Sequence, residues 1–154
     1  MDAADQYEQL LKDLCTSARL SMVDSNTLLG AGSLTVDGIN LRMSLLTAYG
    51  ALQIVIDLGE LTDDTFMREE QYHDLLANNY LNNDRGLPTF SVSPDECYFL
   101  TLTYPLSAFE HDMDLHSLVF HEIPAAHLKI RKIFQPDTDE VASPANLTFE
   151  KFFA

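Results

Sequence analysis

Between residues 34 and 58 apolar and polar side chains alternate three times in close succession. Leu34 and Val36 alternate with Thr35 and Asp37. Ile39, Leu41, Met43 and Leu45 alternate with Asn40, Arg42 and Ser44. Leu52, Ile54, Ile56 and Leu58 alternate with Gln53, Val55 and Asp57. A period of two puts each set on one face of an antiparallel sheet. Asp37-Gly38 and Thr47-Ala48-Tyr49-Gly50 are the expected turns between the strands. No nucleophile, metal-ligand cluster or phosphate loop interrupts the strands, so the sheet reads as a surface for holding something.

Helical spacing flanks this core. Tyr7, Leu10, Leu11, Leu14, Cys15 and Ala18 mark a first helix, with Asp5 as the expected cap. Ser21 to Gly32 reads as a loop, because Asp24, Ser25, Asn26, Gly30 and Gly32 are breakers. A second helix starts at Thr62-Asp63-Asp64, capped by Thr62 or Asp63, and runs to about Asn79. Its apolar positions are Phe66, Met67, Tyr72, Leu75, Leu76 and Tyr80. Two strands follow, over 88–93 and 97–104, joined by a type I turn at Ser93-Pro94-Asp95-Glu96. The second has apolar side chains on both faces, which predicts a central or interface strand. A third helix begins near Asp112 or Asp114, carrying Leu115, Leu118, Val119 and Ile123, and Pro124 is expected to kink or end it. Residues 125–134 resume helically.

The order is α-βββ-α-ββ-α: an α+β domain over residues 1–135, with an antiparallel sheet packed against helices. Residues 136–154 read as a flexible acidic tail with an apolar end at Leu147, Phe149, Phe152 and Phe153.

Charge narrows the function. The 154 residues include 24 acidic and 9 basic side chains, a formal net charge of −15. That field repels phosphate backbones and anionic lipid surfaces, so neither nucleic acid nor membrane is an expected partner. Two cysteines without CxxC spacing, Cys15 and Cys97, read as small buried hydrophobes. The first residues carry no basic region followed by an apolar stretch, which leads us to expect a cytoplasmic protein without a secretory signal.

Catalytic chemistry finds no footing. His121-Glu122 and His127 resemble a zinc-hydrolase fragment, but the histidines are six apart with Pro124 between them, whereas the chemistry needs i and i+4 on one helical face. Ser44, Ser91 and Ser107 lack a GxSxG context, and Gly30-Ala31-Gly32 leads into a strand instead of a helix. The acidic clusters lack the glycine and terminal glutamate of a calcium loop. No enzyme, metal or cofactor is expected.

Several stretches together resemble the class I type III secretion chaperones, also called the Tir-chaperone family. These are Tyr7 to Leu14, the hairpin Leu34-Thr35-Val36-Asp37-Gly38 with Ile39 to Leu45, and Leu52 to Leu61. Leu75-Leu76-Ala77-Asn78-Asn79 is similar to the Leu-Leu-x-x-Asn end of the family's second helix, and Phe90 to Leu100 to its final hairpin. The likeness covers about residues 5 to 123; Pro124 and the residues after it depart from the pattern. It implies a cytoplasmic homodimer without catalysis. Each subunit would hold the N-terminal segment of one or more bacterial effectors in extended form, partly by adding a strand, and the export ATPase would be a further partner. A regulatory protein of the same fold, sequestering a transcriptional activator or anti-activator, is the alternative.

An edge strand with apolar pockets beside it suits such a partner. The expected cargo-binding residues are Leu11, Leu14, Leu34, Val36, Leu41 and Met43, where first helix and first hairpin meet. The expected dimer surface is Leu76, Tyr80, Leu100, Leu102 and Tyr104, since a two-fold interface reuses one patch on both subunits.

Overall fold

Five antiparallel strands form one sheet in the order β1-β2-β3-β5-β4. The structure, a computed structural model, describes residues 1–81 and 88–134; for Tyr80, Leu81, Ile133 and Phe134 it describes the backbone alone. The tail expected over 136–154 lies outside the described residues. The strands are β1 Ser33–Val36, β2 Ile39–Leu46, β3 Ala51–Glu60, β4 Thr89–Val92 and β5 Cys97–Pro105. β5 lies between β3 and β4, the central place that its two apolar faces predicted.

Both hairpin turns sit where the polar punctuation placed them. Asp37 and Gly38 both have positive φ, 50° and 78°, the type I′ turn whose twist matches that of its strands. Thr47–Tyr49 forms a single 3-10 turn.

The helices are α1 Ala3–Ser17, α2 Met22–Ala31, α3 Thr65–Leu81, the short α4 Ala108–His111 and α5 Leu115–Ser117, and α6 Ile123–Phe134. Two helix starts differ from expectation, each for a local reason. Asp2, not Asp5, caps α1: its carboxylate accepts the Asp5 amide at 2.8 Å. Asp64, not Thr62 or Asp63, caps α3, accepting the Met67 amide at 3.0 Å.

The largest difference is α2, which occupies the segment read as a loop. Ser21 accepts the Asp24 amide at 3.1 Å, so the polar residues Asp24 and Ser25 fall in a first turn, where they help a helix. Gly32, left-handed at φ 72°, stops it.

Pro124 neither ends nor breaks the last helix. A wider π turn over Leu118–Glu122 precedes it, and Pro124 is the second residue of α6. The looser winding displaces the carbonyl that a proline ring would otherwise strike.

The core lies between one sheet face and the helices. Leu34, Val36, Leu41, Met43, Ile54, Ile56, Leu100 and Leu102 meet Leu11 and Leu14 of α1, Leu28 of α2, and Leu115, Leu118, Ile123 and Ile130 from the last helical run. The other face carries Gln53, Val55, Asp57, Phe99, Thr101 and Thr103, all half-buried.

α6 is fixed to a bulge in β3 between Asp57 and Gly59. Arg131 donates to the Leu58 carbonyl, and His127 Nε2 donates to the Asp57 carbonyl at 3.2 Å. Burial, the largest influence, pulls the His127 pKa below its ordinary 6.5. The unfolded chain therefore takes up this proton first as pH falls, and the stability from neutral His127 is lost from about 6.5 down to its folded value. Thermal melts between about pH 7.5 and about pH 5.5 should show wild type losing more stability than His127→Gln; parallel losses would remove His127 from the account.

Candidate functional site

Strand geometry fixes which backbone groups of β1 are open. Met43 donates its amide to the Gly32 carbonyl at 2.7 Å, so alternation turns Gly32, Leu34 and Val36 toward β2. Ser33 and Thr35 turn their amides and carbonyls outward. Among the described residues nothing bonds to those outward groups. Among the described residues β1 is therefore an open edge two residues deep.

Beside that edge, on the half-buried sheet face, lies a depression of about 440 Å³. Val55 and Phe99, with Leu34 and Leu41 of the expected cargo set, supply its apolar lining, Arg42 and Asp57 its charges, and Asp24 and Thr27 of α2 one wall. Ser33 and Thr35 line it too, so the edge and the depression are one continuous feature. On the Thr35 row the side-chain hydroxyl bonds to Asn40 Oδ1 at 3.0 Å. Nearby α2 leaves Met22, Val23 and Leu29 exposed, Met22 at 80%.

The six side chains expected to hold cargo do come together, but inside the protein's own core. Leu11, Leu14, Leu34, Val36, Leu41 and Met43 are all buried in one cluster. In the single chain they support the edge from beneath.

The expected dimer residues separate in the same way. Leu100 and Leu102 are core, with almost no exposed surface. Tyr104 is half-buried and meets Phe109 edge-on at 5.9 Å between ring centres. Its hydroxyl pKa is pushed up to about 12 by burial first and the Glu122 charge second. Leu76 is 69% exposed on α3, along with Phe66 at 70% and Met67. The Tyr80 side chain lies outside the described residues.

The chemistry tested in the sequence is dispersed. His127 is taken by β3, whereas the His121 ring stacks on His116 with centres 6.1 Å apart. No group of three metal-ligating side chains occurs among the described residues. Cys15 and Cys97 are half-buried free thiols. No described helix is long and apolar enough to cross a membrane.

Sequence reasoning missed the α2 surface, because the segment's polar residues hid a helix. It also did not single out the outward backbone groups of Ser33 and Thr35. The signal was present in the alternation, but attention to apolar side chains passed over the backbone between them.

Two solved structures share this architecture. One is the Yersinia pestis type III secretion chaperone SycH in complex with a stable fragment of YscM2: TM-score 0.55, 20% identity, 80% of this chain and 98% of that one. The other is the ExsC–ExsE complex: TM-score 0.56, 16% identity, 93% of this chain and 100% of that one. The chain has the fold of a type III secretion chaperone. No protein-family model matches the sequence, and no curated protein does. The α+β order expected from the sequence stands, with α2 added between the first helix and the first strand.

Proposed function

We propose that this protein is a non-catalytic, cytoplasmic secretion chaperone. It holds an N-terminal segment of one or more type III effectors in extended form and keeps that segment ready for export. The observation that carries the reading is the open β1 edge beside the sheet-face depression, in a fold shared with a chaperone solved with a protein fragment bound. Each outward backbone group bonded by a partner strand contributes about 0.5–1.5 kcal/mol, and each apolar partner side chain fully buried about 1.5–3 kcal/mol. A few of each offset the ordering of a flexible segment.

Two copies would pair through the outer face of α3, where Phe66, Met67 and Leu76 are exposed and Tyr80 comes next along the helix. The export ATPase would be met by the loaded chaperone. The same surface serves the second reading, a regulatory protein that sequesters a transcriptional activator or anti-activator. Both structural neighbours were solved with protein partners, which favours keeping that reading alongside the first.

Co-expression with the product of the neighbouring gene tests the proposal. A stable complex with an exported effector supports the first reading, and one with a regulator the second. Thr35→Pro removes an outward amide while leaving the β1–β2 bonds of Leu34 and Val36 in place. That variant should stay folded by circular dichroism yet lose about twofold to tenfold in affinity, the equivalent of roughly 0.5–1.5 kcal/mol. Undiminished binding would place the partner elsewhere.

A further inference from the structure

The sheet has two edges, and the chain treats them differently. At β1 the outward groups of Ser33 and Thr35 have no partner among the described residues. At β4 a single side chain from α3 does the work of a neighbouring strand. Phe90 donates its amide to Asn79 Oδ1 at 2.6 Å, and Asn79 Nδ2 donates back to the Phe90 carbonyl at 2.7 Å. A carboxamide offers one acceptor and one donor side by side, which is the pairing a residue of an adjacent strand presents.

The alternation confirms which way Phe90 points. Ser93 donates to the Cys97 carbonyl at 2.8 Å, toward β5, so Thr89 and Ser91 face β5 as well and Phe90 and Val92 face outward. Asn79 therefore occupies both polar groups of Phe90, one of the two outward-facing residues of this four-residue edge strand. The Phe90 ring is buried beneath, which holds the backbone in place for the bond.

We propose that Asn79, by filling the Phe90 position, interrupts the β4 edge as a template for pairing and makes strand addition one-sided, so that an extended segment of another protein joins the sheet at β1. An unguarded β4 would be a second template for pairing, including with another copy of β4. The inference takes from the proposed function only the idea that partners arrive as strands. Its test needs no partner, so the two can fail separately.

Amide hydrogen exchange on the full chain is the first measurement. In wild type the Phe90 amide should exchange at least about tenfold more slowly than the Thr35 amide. In Asn79→Ala it should approach the Thr35 rate while Leu102 stays protected, whereas Asn79→Asp, which keeps the acceptor, should retain the protection. Light scattering should show Asn79→Ala forming larger assemblies with rising concentration, and adding Val92→Pro should reverse this. Phe90 exchanging as fast as Thr35 in wild type would overturn the proposal, a result that does not depend on any variant folding. So would unchanged Phe90 protection and unchanged mass in Asn79→Ala.

Discussion

Leu41→Asp combined with Met43→Asp should unfold the protein, with no cooperative melt in circular dichroism. The two side chains are 3% and 2% exposed and pack on the cluster that joins the sheet to α1 and α2. Replacing a buried aliphatic side chain by a small one costs about 2–5 kcal/mol. A carboxylate at such a site adds a desolvation penalty of several kcal/mol unless it takes up a proton. Two such sites together match or exceed the roughly 5–15 kcal/mol that holds a typical domain folded. Had these residues lined an open groove, the same pair would have blocked a partner and left the fold intact. A melt close to wild type would therefore return Leu41 and Met43 to the surface.

Gly32→Ala should be the most damaging glycine-to-alanine change among the described residues. Gly32 ends α2 at φ 72° and passes directly into β1, with its carbonyl accepting the Met43 amide. A Cβ there would stand 2.1 Å from the Met43 carbonyl oxygen, a backbone atom with little room to retreat. The left-handed backbone alone costs about 1–2 kcal/mol for a residue with a side chain, and the clash adds to it. Gly38→Ala is the control. Its φ is 78°, yet nothing lies within 4 Å of the added carbon, so it should lose only the conformational part. Urea unfolding should show Gly32→Ala clearly less stable than Gly38→Ala; equal losses would mean that the β1–β2 junction yields easily.

Much of the fold was legible because strands advertise themselves. The alternations at 34–36, 39–45 and 52–58 located three strands, and Asp37-Gly38 set the register of the first hairpin through its turn type. The hidden features depend on contacts that sequence spacing does not record. Asp24 and Ser25 look like loop residues until Ser21 is seen to cap them into a first turn. Pro124 looks like a stop until the π turn before it makes room.

The site was harder to read than the fold for a related reason. Alternation shows that Leu34, Leu41 and Met43 share a face, but not whether that face is covered by the chain itself or by a partner. Here α1 and α2 supply part of the cover, and among the described residues what stays open is the backbone edge of Ser33 and Thr35. Asn79 stands out in the sequence only as the end of a Leu-Leu-x-x-Asn stretch. Its bond to Phe90 spans eleven residues and joins a helix to a strand, a relation without periodicity.

A partner purified with this protein from its native host, followed by limited proteolysis and amide exchange on the complex, tests the central claim most directly. The account predicts one short partner segment surviving protease, and the amides of Ser33 and Thr35 becoming protected when it is bound. A complex in which those two amides exchange as fast as in the free protein, with no partner segment shielded, would contradict it.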